Sequence, residues 1–352
     1  MSVGLFGLGN SNHDFSQAKY WGKNIFNNAF PVALCCYMAS QGLQANYVTQ
    51  SDEGIVIKEI PIELLFSESG ESVSKIYFEF ESTFSPFERF STVPIPRSDL
   101  VVMSESRNPL RSLEIKLTVL PDHVTRLATE ADQGAELVVR PDSVVYLAYL
   151  LYSKSGSENL SNLFRESSDV DFGNSQEAKA ELPKVFEVLE KVVANSSSEE
   201  PFLLQPIWRT VGDTVKLAEK AFDVFVWSQG ALVSMMIDIA AEHGEREKIS
   251  RMERSVLWLF LLLRELNETG ETNWKAIVDG FTYGTKNDKA FAIAGPRTNK
   301  YMRCDRLQNP IIGKSEVKNI VLGGGHELLS PERRLDASLS HALNARLFDE
   351  SR

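Results

Sequence analysis

Asp99, Glu114 and Lys116 form the most informative group in this chain: an Asp, followed fifteen residues later by Glu-Ile-Lys. Two carboxylates and a lysine converging at one sheet edge are what metal-assisted hydrolysis of a phosphodiester needs. That reaction calls for charge stabilisation on the phosphate and an attacking hydroxide near neutral pH. Hard oxygen ligands suit Mg²⁺, which keeps several waters and takes one or two protein carboxylates. Asp99 and Glu114 would supply these, with the Ile115 carbonyl as a further donor. Such an ion lowers the pKa of a bound water and polarises a phosphoryl oxygen. Lys116 would orient that water and offset developing negative charge.

The elements that must position these groups are legible from alternation. From Leu113 to Leu120 the chain reads Leu-Glu-Ile-Lys-Leu-Thr-Val-Leu. Leu113, Ile115, Leu117 and Val119 fall on one face, and Glu114, Lys116 and Thr118 on the other, the period of a half-buried strand. Asp99-Leu-Val-Val-Met103 is an apolar run of strand length, and Ser104 to Asn108 before Pro109 reads as the turn between the two. A hairpin symmetric about that turn sets Asp99 opposite the Glu114–Lys116 stretch, and a slip of one residue would turn the other face to the site.

Acid-x-Lys also occurs at Glu177-x-Lys179 and Glu316-x-Lys318. The first lies in a Ser- and Glu-rich stretch that reads as a solvated helix start. The second has Asp305 upstream and an apolar run, Ile320-Val-Leu322, behind it, and is a true rival, though its flanks do not alternate. Against the first triad stands the reading of a solvated polar face on an ordinary strand.

Asp99, Glu114 and Lys116 match the PD-(D/E)xK nuclease pattern, with Ser98 in place of the pattern's proline. Resemblance to that pattern implies another metal carboxylate upstream of Asp99, for which Glu63, Glu79 and Glu81 are candidates, and the sequence does not choose among them. More specifically, the chain resembles the HindVP/HgiDI family of type II restriction endonucleases. The resemblance is carried by Gly4-Leu-Phe-Gly-Leu-Gly-Asn-Ser-Asn12, by Tyr20-Trp-Gly-Lys-Asn24 with Phe30-Pro31 and Cys35-Cys36, and by Leu113-Glu-Ile-Lys-Leu-Thr118 before Pro121-Asp122. It extends over most of the chain and is strongest in the first 125 residues. The resemblance implies a Mg²⁺-dependent homodimer that cuts double-stranded DNA within a degenerate palindrome of the GRCGYC type. A cognate DNA methyltransferase would be a functional companion without being a stable subunit. The implied fold is α/β: a restriction-endonuclease-like mixed sheet flanked by helices, with added helical and C-terminal elements.

Composition is that of an ordinary globular protein, with 43% hydrophobic and 24% charged residues over 352 positions. No basic-then-apolar N-terminal pattern suggests a leader. The most apolar run, Val256 to Leu263, is far shorter than a membrane span. Three cysteines make neither a disulfide framework nor a zinc site, and the five histidines lack metal-ligand spacing. The chain reads as cytoplasmic, with no membrane partner. A net charge of −11 argues against DNA binding through a general positive field. Charge is uneven, however. Residues 151–200 carry ten acids against five bases, whereas 281–320 carry eight bases against three acids. Within the latter, Arg297, Lys300, Arg303 and Arg306 are candidates to reach phosphates or base edges; the bland alternative is a solvated loop with balanced ion pairs.

Along the chain, residues 14–48 read as helix, and Gly54–Ile60 and Lys75–Phe80 as strands. Leu137–Val139 reads as a strand and the run from Val144 as a helix. Ser153–Ser175 reads as a mobile connection, and 177–194, 213–242 and 248–267 as helices. This suggests a catalytic core over 1–152 and a helical, DNA-recognising and dimerising region over 153–352, or one continuous domain. Gly4, Gly7 and Gly9 lack the Gly-Lys-Ser/Thr of a phosphate loop; Gly323–Gly325 reads as a turn and His123 as a polar loop residue. The Met- and Phe-rich stretch 222–239 reads as core or dimer surface. Beside a restriction enzyme, three alternatives stay open: a repair or structure-specific nuclease on the same core, a non-catalytic DNA-binding scaffold, and an unrelated metabolic α/β enzyme.

Overall fold

The computed structural model describes residues 45–51, 54–61, 64, 76–113, 116–118, 137–155, 157–165, 172–196, 203–211, 214–217, 220–221, 225–227, 229–241, 248–284, 291–293 and 312–313. Strand β1 (Ala45–Ser51) and β2 (Gly54–Ile60) form an antiparallel hairpin. The expected helix over 14–48 is therefore wrong at its end, where Asn46-Tyr-Val-Thr49 supplies β-branched and aromatic residues suited to a pleated surface. Residues 14–44 of that expectation lie outside the described residues.

Next come β3 (Ile76–Ser82), a 3-10 helix (Ser85–Phe90), β4 (Ser98–Ser104) and β5 (Pro109–Leu113). These strands make an antiparallel sheet in the order β3-β4-β5. β5 begins on a proline, which lacks the ladder donor and suits an edge strand. The turn falls where the sequence placed it: the Arg107 N–H donates to the Ser104 carbonyl at 2.9 Å, and Arg107 itself takes a left-handed φ of 63°. β4 is covered on both faces, with Ser98, Leu100 and Val102 buried on one and Val101 and Met103 on the other.

β6 (Lys116–Thr118) pairs parallel with β8 (Leu203–Val211) instead of continuing alongside β4. The expected single strand over 113–120 thus changes partners between Leu113 and Lys116. β7 is Leu137–Val139, as expected. β9 (Thr214–Leu217), β10 (Lys220–Ala221) and β11 (Phe225–Trp227) follow β8. A mixed sheet results, in the order β2-β1-β11-β8-β6 with β9 on β8, parallel at β1–β11 and β6–β8. It joins strands from both sides of residue 152. Two short pairs complete the strands, β7 with β12 (Phe291–Ile293) and β10 with β13 (Ile312–Gly313).

Six helices are described: α1 (Pro141–Ser155), α2 (Ser157–Arg165), α3 (Ser175–Asn195), α4 (Gln229–Ala241), α5 (Arg251–Thr269) and α6 (Trp274–Gly280). Two expectations are overturned. The single helix over 213–242 is three short strands followed by α4, because Thr214-Val-Lys-Leu217 alternates with period two, whereas the run from Gln229 is apolar apart from one stripe of Gly230, Ser234 and Asp238 at helical spacing. The mobile connection over 153–175 contains α2, whose Leu160, Leu163 and Phe164 share one face behind a polar composition.

Capping residues set the helix ends. Asn174 with Glu177 and Ser250 with Glu253 each form a reciprocal capping box, and Gly270 ends α5 at a left-handed φ of 82°. Every residue from Val256 to Leu263 is buried, so α5 is the axis of the helical core, packed by α1, α2, α3 and α4. Among the described residues no helix is long and apolar enough to cross a membrane.

Candidate active site

Asp99 is the second residue of β4, the central strand of its sheet, and is half-buried between buried Ser98 and Leu100. The register on the β5 side runs Val102 to Arg111, Val101 to Ser112 and Leu100 to Leu113. Asp99 precedes Leu100 in the chain and Glu114 follows Leu113, so the hairpin expectation holds up to the last described pair. Glu114 and Ile115 themselves lie outside the described residues. Lys116 lies in β6, in register with Leu204 of β8.

The approach to Asp99 is clamped to the helices by hydrogen bonds that the sequence did not signal. The Tyr146 hydroxyl of α1 donates to the Pro96 carbonyl at 3.0 Å and accepts from the Phe84 N–H at 3.1 Å. The Trp274 indole N–H donates to the Pro94 carbonyl at 3.1 Å. Thr92 donates its N–H to the Thr272 carbonyl at 2.9 Å, and the Thr272 N–H donates to Phe90 at 2.8 Å. Beneath this segment Phe84, Phe87 and Phe90 pack on one another and on Tyr146 and Tyr149, with ring centroids 4.9–6.1 Å apart. Burying each such ring contributes about 2 kcal/mol. Burial pushes the Tyr149 hydroxyl above its ordinary range, partly offset by bonds to Ser91 and Thr272.

Of the three further acids, Glu79 is half-buried opposite Val101 and accepts from the Ser82 hydroxyl at 3.1 Å. Glu81 lies on β3 between Phe80, which pairs with Leu100, and Ser82, which pairs with Ser98; Asp99 lies between the same two pairs on β4. Glu81 therefore holds the register position facing Asp99. Glu63 lies outside the described residues. The rival motif at Glu177-x-Lys179 has a structural use: Glu177 accepts from the Asn174 N–H, and Lys179 approaches Glu253 at 3.6 Å. Glu316, Lys318, Asp305, His123, Gly323–Gly325, Arg297, Lys300, Arg303 and Arg306 lie outside the described residues. Sequence reasoning also passed over Arg111, a buried cation on β5 that donates to the Leu64 carbonyl at 2.8 Å. Its only signal was a base among apolar neighbours.

An acid opening a central strand, backed by a hairpin whose returning strand leads into Glu-Ile-Lys, is an arrangement suited to holding a hard cation beside a scissile phosphate. The chain belongs to the HindVP restriction endonuclease family, whose model matches residues 21–348. It is 41% identical over 337 residues to the probable type II restriction enzyme HindVP of Haemophilus influenzae, covering 95% of this chain and 92% of that protein. It is 36% identical over 343 residues to the type II restriction enzyme HgiDI of Herpetosiphon aurantiacus, covering 96% and 95% of the two chains. No solved structure matches it.

Proposed function

We propose that this chain is a type II restriction endonuclease on a PD-(D/E)xK core, cutting double-stranded DNA within a short palindrome of the GRCGYC type. Its catalytic residues are Asp99, Glu114 and Lys116. The observation that carries the assignment is the β4–β5 register, with Leu100 against Leu113, which puts one acid immediately before and the other immediately after a paired position. Mg²⁺ would be held by Asp99, Glu114 and the Ile115 carbonyl, with Glu81 as the further acid because its register position faces Asp99. The donor set fits, since Mg²⁺ favours carboxylate and carbonyl oxygens, and like charges at facing strand positions are relieved by a cation.

When bound, the ion supplies charge stabilisation at the phosphate and a hydroxide source near neutral pH. The Lys116 ammonium offsets negative charge developing on the phosphate and orients the attacking water, whose oxygen bonds to phosphorus as the P–O3′ bond breaks, giving a 5′-phosphate and a protonated 3′-hydroxyl. Arg297, Lys300, Arg303 and Arg306 contact DNA locally, which reconciles substrate binding with a net charge of −11. A palindromic target is matched by a two-fold symmetric homodimer. The setting is cytoplasmic, with a methyltransferase protecting host sites.

The test is Mg²⁺-dependent digestion of unmethylated phage DNA, wild type beside Lys116→Ala, with fragment ends sequenced. Discrete fragments from wild type alone, with ends sharing one palindrome, are expected. No cleavage by wild type across a range of Mg²⁺ and Mn²⁺ concentrations would overturn the reading.

A further inference from the structure

Ser98 is 2% exposed, and its hydroxyl spans the two strands from which the acids depart. Its Oγ lies 3.1 Å from the Leu113 carbonyl oxygen and 3.3 Å from that of Leu100, as donor to either. The Leu113 carbonyl belongs to the same peptide group as the Glu114 nitrogen, and Ser98 is covalently joined to Asp99. One buried hydroxyl therefore ties the backbone at the base of one acid to the backbone at the base of the other.

We infer that Ser98 is a positioning residue for the metal site: its hydroxyl fixes the Leu113–Glu114 peptide against the start of β4 and so sets the spacing of the two carboxylates. This rests on the catalytic assignment proposed above. A ladder hydrogen bond fixes only the strands' mutual register. A side-chain bond from the residue before Asp99 to the residue before Glu114 also resists sliding and rotation of one strand end against the other. Burial makes the bond costly to replace with water, and a strand favours a fixed rotamer for the hydroxyl. On the other side of β4, Ser82 pairs with Ser98 in register and donates its hydroxyl to Glu79.

The experiment compares wild type, Ser98→Ala, Ser98→Thr and Lys116→Ala, measuring thermal melts, Mn²⁺ affinity by electron paramagnetic resonance without DNA, and kcat and KM on a cognate duplex. Ser98→Ala should weaken Mn²⁺ binding and lower kcat, each by roughly 10- to 100-fold, the range for disturbed support of a metal site or a misplaced catalytic group. KM for DNA should stay within about twofold, because the substrate-contacting residues are unchanged. Ser98→Thr, which keeps the hydroxyl, should recover both losses. Unchanged Mn²⁺ affinity and kcat in a folded Ser98→Ala would overturn the inference. So would a Ser98→Thr protein that regains the wild-type melt without regaining Mn²⁺ affinity. If Lys116→Ala is inactive while Ser98→Ala behaves as wild type, only the Ser98 inference falls. Wild-type cleavage by Lys116→Ala would remove the catalytic assignment, and this inference with it.

Discussion

Replacing Tyr146 by Phe tests whether the helical core holds the strand that bears Asp99. The hydroxyl accepts from the Phe84 N–H at 3.1 Å and donates to the Pro96 carbonyl at 3.0 Å, and Tyr146 is 8% exposed. Phe keeps the ring and its tilted contact with Phe87 at 5.7 Å, so little packing is lost. What is lost is the partner of two backbone groups. An unsatisfied buried donor costs on the order of 1–3 kcal/mol. Phe84 is buried and takes that cost, whereas half-buried Pro96 can turn its carbonyl towards water, so the sum should be about 2 kcal/mol. For a chain of this size that is a fall of roughly 3 °C in Tm. Urea unfolding should show a lower midpoint with an unchanged slope, since the surface exposed on unfolding is the same. Asp99 follows Pro96 by three residues, so the cleavage rate should fall as well. A loss below about 0.5 kcal/mol, the scale of an ordinary surface substitution, with cleavage at the wild-type rate, would refute the clamp.

Three other outcomes are expected. Tyr149 has its pKa raised above the ordinary value near 10, chiefly by burial, so the folded state keeps that proton to higher pH than the unfolded chain; the stability difference between wild type and Tyr149→Phe, followed by urea unfolding, should be flat below pH about 10 and decline above it. Ser250→Ala removes half of the capping box that starts α5 and should cost about 1 kcal/mol in the same assay, with Ser250→Gly costing less. Glu81→Gln should weaken Mn²⁺ binding by at least roughly tenfold, whereas Glu79→Gln, at the neighbouring register position opposite Val101, should leave it unchanged; equal effects would dissolve the distinction drawn from the β3–β4 register.

Local pattern was legible where it was self-contained. The Asp99 strand, the turn before Pro109 and the helix running from Val144 all follow from alternation, turn chemistry or an apolar run read in place. Errors arose where composition hid period. The Ser- and acid-rich residues around α2 masked the spacing of Leu160, Leu163 and Phe164, and strong hydrophobicity from Ala221 onward drew three short strands into one expected helix. The switch of partner between Leu113 and Lys116 was not legible, because a parallel pair joins residues far apart in sequence and leaves no local signal. Ser98 was visible only as a departure from a pattern's proline; its use depends on the strand register, which puts the Leu113 carbonyl within reach.

That change of partner bears on why the site sits where it does. Leu113 is held in the β3-β4-β5 sheet, and Lys116 in the mixed sheet beside β8. The Glu-Ile-Lys segment is therefore anchored at either end by different sheets, one carrying Asp99 and the other carrying strands from the C-terminal half. A site built on one hairpin would need only that hairpin to be formed. The proposed site bridges two sheets and is assembled only when β8 is paired with β6 and β11 with β1 as well. On the assignment proposed for Lys116, pairing its strand with a distant part of the chain ties catalytic competence to the completed fold. Local tethers then matter more, because strand ends drawn by two sheets would otherwise settle between them. The Ser98 hydroxyl, the Tyr146 bridge and the Trp274 bond all act on the Asp99 side of that junction, so in the proposed site β4 is the tethered strand from which the spacing to Glu114 and Lys116 is set.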